Sequence, residues 1–289
     1  MTIEETNATT RRAEREWLDA LPTPTLQKAA TPFIAVGSAA NIIMQLSWPA
    51  VGYGVKDSKV ESALFRDPER RRRTTLGFIA VAVFGNAEER AAFRRATNRS
   101  HAQVRSPEGA EPAYNAFDPE LQRWVAACLY IGFEDAYEAV WGELDDATRE
   151  AMYAESVVLG GMLQMPADMW PADRAAFQEY WEDGLERAHI DDSVRAYLTS
   201  VMRLEYLPKP PRRALVRLRE LATAGSLPPQ LREQMLLPWS PKHARRFRRF
   251  SRTVAWVIRR MPERRRAALF TNVLDDVKLR MAEGRSLFE

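Results

Sequence analysis

The chain has 289 residues with 46% hydrophobic and 28% charged content, enough for one large core and unlike a disordered or low-complexity protein. Its 42 Lys and Arg against 39 Asp and Glu leave a net charge of only +3, and one Cys excludes an intramolecular disulfide and a thiolate zinc cluster. A count of 18 Pro against 13 Gly fits proline-punctuated helices rather than strands joined by glycine turns, so the expected fold is all-α, a single-domain helical bundle.

Residues 1–28 read as an N-terminal extension to a domain over 29–289. Arg11 and Arg12 are followed by no apolar run, so the segment resembles neither a Sec nor a twin-arginine signal, and the expected location is cytoplasmic. Ala29 to Val55 carries no charged residue and has the length of a membrane span. Pro32 and Pro49 interrupt it, however, and Ser38, Asn41 and Gln45 would lack partners in hydrocarbon. It therefore reads as a helix buried on all sides, with Gly37, Ala39 and Ala40 leaving room for a large flat group, and no membrane span is expected.

Two further buried helices are expected over 74–85 and 124–133, and three apolar helices so close together are more than a small bundle needs unless they enclose something. Asn86, Asp118-Pro119 and Asp145 or Asp146 mark helix starts through side-chain capping and proline at the first helical position. The proline-rich "LPKPP" at 207–211 reads as a loop within one all-helical domain, since both flanks carry apolar faces that need cover. Near the C-terminus, Phe247, Phe250, Val254, Val257 and Ile258 fall at helical spacing among ten arginines. This is an amphipathic helix with a solvated basic face; no recognition motif accompanies the charge, so no nucleic-acid partner is expected.

No nucleophile elbow, phosphate-binding glycine loop, zincin helix or di-iron carboxylate spacing occurs. What remains is a cofactor pocket with one axial ligand, a binding module for an apolar ligand, or a scaffold. In "RRRRTT" (70–75), Arg71, Thr74 and Thr75 share a helix face that runs on into Phe78, Ile79 and Ala82. Polar groups leading into an apolar helix suit a small polar species, such as dioxygen or a carboxylate, beside a dry pocket; the plainer reading is a solvated first turn. His101 lies on the next helix, with Asn98 one turn before and Val104 and Arg105 one turn after. A lone His cannot hold bare zinc, whereas porphyrin supplies four nitrogens and needs one more, and an arginine nearby suits a propionate. The alternative is an ordinary helix histidine.

The ordered motifs "MQLSWPAVGYGVKDS", "DPERRRRTTLGFIAVAVFG", "NRSHAQVRS", "YNAFDPELQRWVAACLY" and "LGGMLQMPADMWPADRAAFQEYW" resemble the MpaB-type oxygenases, the family that includes the latex clearing, or rubber oxygenase, catalytic domain. The likeness runs from about Ile34 into the arginine-rich helices. It implies a globin-like core holding one heme b (iron), with His101 as proximal ligand and Asn98 and Arg105 as cofactor contacts, Arg105 at a propionate. It also implies Arg71, Thr74 and Thr75 on the distal or substrate side, Asp57 as a carboxylate base, and Cys128 facing the pocket; a small core residue is the alternative for Cys128. Two positions depart from the pattern: Thr74 stands where the rubber oxygenase has an iron-capping Lys, and Ala126 where relatives often have His. The resulting expectation is a heme b-dependent oxygenase using dioxygen, an apolar alkene-containing small molecule and an unidentified electron donor. Monooxygenation or peroxide-driven oxidation in the same pocket, a non-catalytic heme or lipid carrier, and a nucleic-acid-binding helical protein are the alternatives.

Overall fold

In this computed structural model, which describes residues 3–58, 63–207 and 213–288, most helices begin where a short polar side chain or a proline meets an apolar run. In chain order they are α1 (Ile3–Ala20), α2 (Pro24–Ala29), α3 (Phe33–Leu46), α4 (Pro49–Lys56), α5 (Pro68–Phe84), α6 (Ala87–His101), α7 (Pro119–Trp141), α8 (Asp146–Glu155), α9 (Val157–Gly161), α10 (Arg174–Glu186), α11 (Asp192–Met202), α12 (Arg213–Ser226), α13 (Pro229–Gln234), α14 (Pro241–Arg260) and α15 (Glu263–Ala282). Among the described residues there is no strand, only an isolated bridge between Arg105 and Asn115, and the fold is all-α as expected. Asn86 and Glu89 form a reciprocal capping box at α6, and Asp118 caps α7 ahead of Pro119. Of the two candidates at α8, Asp145 is the cap.

The uncharged segment is not one helix. It divides into α3 and α4, which meet at 111°. Trp48 takes an extended conformation before Pro49, whose missing N–H suits the first position of a new helix. Nor is the segment buried on all sides, because Ile34, Gly37, Asn41 and Ile42 of α3 border a cavity. Among the described residues no single helix is long and apolar enough to cross a membrane; the bent α3–α4 pair alone meets that test jointly.

The buried side chains form one large cluster, with α7 through its middle, and a small second one of Phe33, Ala136, Val140 and Ile258. Trp48, Trp124 and Trp181 stack in sequence, with centroids 4.8 and 5.1 Å apart. Trp124 Nε1 donates to the Met44 carbonyl (3.0 Å) and Trp48 Nε1 to the Gly184 carbonyl (2.8 Å), so both buried donors are satisfied. Residues 3–28, expected as an extension, are part of this body: α1 packs on α6 and α9, and Arg94 of α6 pairs with the buried carboxylate of Asp19. Arg90 donates to the carbonyls of Leu21 (2.6 Å) and Ala82 (2.8 Å), tying the end of α1 to α5.

Most of the "LPKPP" segment lies outside the described residues, but α12 beyond it packs on α3 and α11 before it. The apolar face of α14 is close to the expected one: Ala255 and Ile258 are buried, while Phe247, Phe250 and Val254 are half-buried, with Phe247 set against Gly225, and Val257 is exposed. The arginine side stays at the surface.

A Cβ on Gly184 would clash with the six-membered ring of Trp124. Gly184→Ala should therefore destabilise by about 1–3 kcal/mol through overpacking of the stack. Urea unfolding checks this; an unchanged midpoint would mean the stack yields freely.

Candidate active site

A cavity of about 840 Å³ opens between α3, α5, the end of α6 and α7, with Tyr197 of α11 and Arg219 of α12 completing its wall. That is toward the upper end of the range for small-molecule and cofactor sites, about 300–1,000 Å³. Leu121, Gln122, Val125, Leu129, Gly132, Phe133, Asp135 and Ala136 form one stripe of α7 along it. At 1.5 Å per residue that stripe is about 22 Å long, so the cavity is elongated.

Four of the sequence-expected residues meet at this cavity: Arg71, Thr74, Thr75 and His101. Asp67 caps α5 by accepting from the Arg70 N–H, which places Arg71 to Thr75 within the first turns of a helix and on the face that continues into Phe78 and Ile79. Thr74 donates to the Arg71 carbonyl (3.0 Å). The Arg71 guanidinium makes no ion pair or hydrogen bond with any described residue, and burial holds its pKa below the usual value, with only the Tyr197 phenol opposing. His101 is the last residue of α6; burial first, and the Arg71 charge second, lower its pKa from 6.5 to about 4, so the imidazole is neutral. Its Nδ1 is buried without a partner, and its ring meets Phe117 edge-on at 6.4 Å.

The remaining expected site residues, Asn98, Arg105, Asp57 and Cys128, do not line the cavity. Asn98 is one turn before His101, and its Oδ1 is likewise buried and unpaired. The helix ends at His101, so Val104 and Arg105 are not a further helical turn. Val104 borders the cavity and its N–H closes a turn on the His101 carbonyl, while exposed Arg105 bridges to the lining residue Asn115 in extended backbone without lining the cavity itself. Asp57 sits at the C-terminal cap of α4, exposed and paired with Lys56 at 2.5 Å. Cys128 is fully buried among core side chains, with its thiol pKa pushed up by desolvation, and it does not border the cavity.

Sequence reasoning missed two lining residues of α7. Buried Gln122 donates Nε2 to the Ala116 carbonyl (2.8 Å), pinning the loop behind His101, and leaves Oε1 unpaired. Asp135 has an exposed side chain that borders the cavity, makes no hydrogen bond or ion pair with a described residue, and has its pKa raised from 3.8 to about 7, by desolvation from the protein around it first and then by Glu134 and Glu138. Among the described residues no three His, Cys, Asp or Glu side chains gather as they would for a bare metal ion.

The family of ER-bound oxygenase mpaB/B' and rubber oxygenase catalytic domains matches residues 27–256, spanning every wall helix named above. The chain belongs to that family. Oxygenase chemistry, with dioxygen as a reactant, is the activity that membership of the mpaB and rubber oxygenase family supports. Two uncharacterised proteins, from Mycobacterium bovis and Mycobacterium tuberculosis, are each 42% identical to it over 250 residues, covering 86% of this chain and 98% of each relative. No solved structure matches significantly.

A buried guanidinium without a counter-charge opposes folding. Arg71→Met should leave the ligand-free protein as stable as wild type or more so, by about 1 kcal/mol, whereas an ordinary core substitution lowers stability. Thermal unfolding of both proteins without ligand decides between them; a clear fall in midpoint would mean that Arg71 is satisfied within the fold.

Proposed function

We propose that the protein is a heme b-dependent oxygenase acting on an apolar, alkene-containing small molecule, with His101 as the iron ligand in a globin-like core. One observation carries this: a neutral imidazole, unengaged at Nδ1, stands on the wall of an elongated apolar cavity beside the Arg71 to Thr75 turn. Porphyrin brings four donors of its own, so it fits a site where one imidazole is available and no cluster of protein ligands gathers among the described residues. Bound there, heme supplies the one-electron and dioxygen chemistry that no side chain provides.

The residues of the chain divide the remaining work. Asn98 Oδ1 and His101 Nδ1 are both unpaired and one helical turn apart, and a hydrogen bond between them would orient the ring and leave Nε2 free to hold iron. Arg71 offers a buried positive charge to an anionic group such as a propionate. The Thr75 hydroxyl, which has no partner among the described residues, orients a polar species at the cavity wall. Leu129, Val125, Phe78 and Ile42 present apolar surface that excludes water and receives a hydrocarbon chain.

An absorption spectrum before and after dithionite tests the cofactor. Protein as purified or after hemin addition should have a Soret band that His101→Ala loses; protein that takes up no hemin would overturn the reading. In reduced protein supplied with an isoprenoid alkene, Thr75→Val should keep the Soret band while slowing oxygen uptake on the order of 100-fold, the scale for loss of a positioned donor.

A further inference from the structure

The cavity has a second polar end that the oxygenase reading does not use. Helices α3 and α7 run antiparallel along it: Trp124 reaches the Met44 carbonyl, Asn41 reaches the Cys128 carbonyl, and Phe33 packs with Ala136 and Val140. In that register Gly37 lies within about one helical turn of Asp135, and the space where a Cβ on Gly37 would stand is open for 4 Å around. Asp135 borders this gap, 13 residues beyond Gln122, or about 20 Å along α7 from the His101 end.

The charges around Asp135 are unevenly compensated. Its neighbours Glu134 and Glu138 are both held by Arg149 of α8, at 3.6 and 2.8 Å, and Glu134 also feels Arg174 of α10. The side of α3 that faces Asp135 brings no counter-charge, since that helix has no charged residue. Arg259 of α14 is spent on the Val140 carbonyl (2.7 Å). Glu134 and Glu138 are the charged groups that act on Asp135, and both oppose its ionisation. A carboxyl in such a position lacks one thing, a cation entering from the cavity.

We propose that Asp135 is a substrate-recognition residue, binding a protonated amine at the end of an apolar chain whose body lies along the α7 stripe. Substrates of the cavity are thus elongated aliphatic amines, held by the ammonium group about 20 Å along α7 from His101. The proposal rests on reading the cavity as the substrate site, but binding at Asp135 requires neither heme nor turnover.

Calorimetric titration of the full chain with decylamine, decanol and sodium decanoate, with and without added hemin, tests it. At pH 8.5 decylamine should bind at least about tenfold more tightly than either chain-matched probe. Its affinity should fall about tenfold by pH 6, because an acid with pKa about 7 is then mostly protonated while the amine keeps its charge. Asp135→Asn should remove both the preference and the pH dependence, and the wild-type pH profile stands as a test if that variant does not fold. Equal binding of decanol or decanoate, a flat profile, or full retention of decylamine binding by Asp135→Asn would each overturn the proposal. A protein that takes up no hemin yet still prefers decylamine would overturn the heme reading and leave this one standing.

Discussion

The cavity depends on how closely α3 and α7 approach. Asn41 Nδ2 donates to the Cys128 carbonyl at 2.6 Å, and Gln45 Nε2 donates to Asn41 Oδ1 at 2.7 Å. A Cβ at position 132 would stand 2.5 Å from Asn41 Nδ2, so Gly132 is what permits the contact. Amides left unpaired in an apolar interior would cost about 1–3 kcal/mol each; paired with each other and with a helix carbonyl, they fix the register of two otherwise greasy helices. The tryptophan stack fixes the same pair one turn away, near Met44, so this stretch of the wall is held rigidly beside the cavity.

The other wall follows from a turn. Gly85 and the Asn86–Glu89 capping box reverse the chain between α5 and α6, and the two helices then deliver Arg71 and His101 to the same place. A histidine at a helix C-terminus would ordinarily gain a proton, because the helix dipole favours a cation there by about 1 kcal/mol. Burial and Arg71 act in the opposite direction and take the pKa from 6.5 to about 4, an effect of about 3 kcal/mol at 1.36 per unit. Desolvation wins, and the ring stays neutral, the state in which a nitrogen can donate its lone pair.

How much of this was legible in the sequence depended on whether the signal was local. The caps at Asn86, Asp118 and Asp145 and the shared face of Arg71, Thr74 and Thr75 are matters of one or two helical turns, and the structure has them where the spacing put them. The end of α6 was not legible, because neither Gly nor Pro follows His101 until Pro107; Arg105 was accordingly carried one turn too far along a helix that had already stopped. The turn of 111° at Trp48 was half visible in Pro49, but its angle is set by partners distant in sequence, such as the His189 N–H on the Ser47 carbonyl (2.8 Å). Asp57 and Cys128 matched a motif, yet the first ends a helix in solvent and the second faces packed core. Gln122 and Asp135 were passed over for the opposite reason: a polar residue near either end of an apolar run looks like a solvated helix terminus, and only tertiary packing turns that face inward.

The two unpaired charges of the cavity, Arg71 and Asp135, do not cancel each other. Were they separated by the length of the α7 stripe, about 22 Å, an effective dielectric of 20 would leave an attraction of only about 0.8 kcal/mol, less than the desolvation either group undergoes. Each is instead a local deficit at its own end of a mostly apolar channel, and methionine or leucine in either place would fill the space with less strain on the fold. Groups that oppose folding and yet border one cavity are the usual mark of a site arranged for something that arrives from outside the chain. What arrives must satisfy a positive charge beside a neutral imidazole, offer hydrocarbon to the walls between, and bring positive charge to the far end. On the readings proposed above, a porphyrin against α5 and α6 would meet the first demand and not the last, which a chain lying along α3 and α7 would meet in line with it.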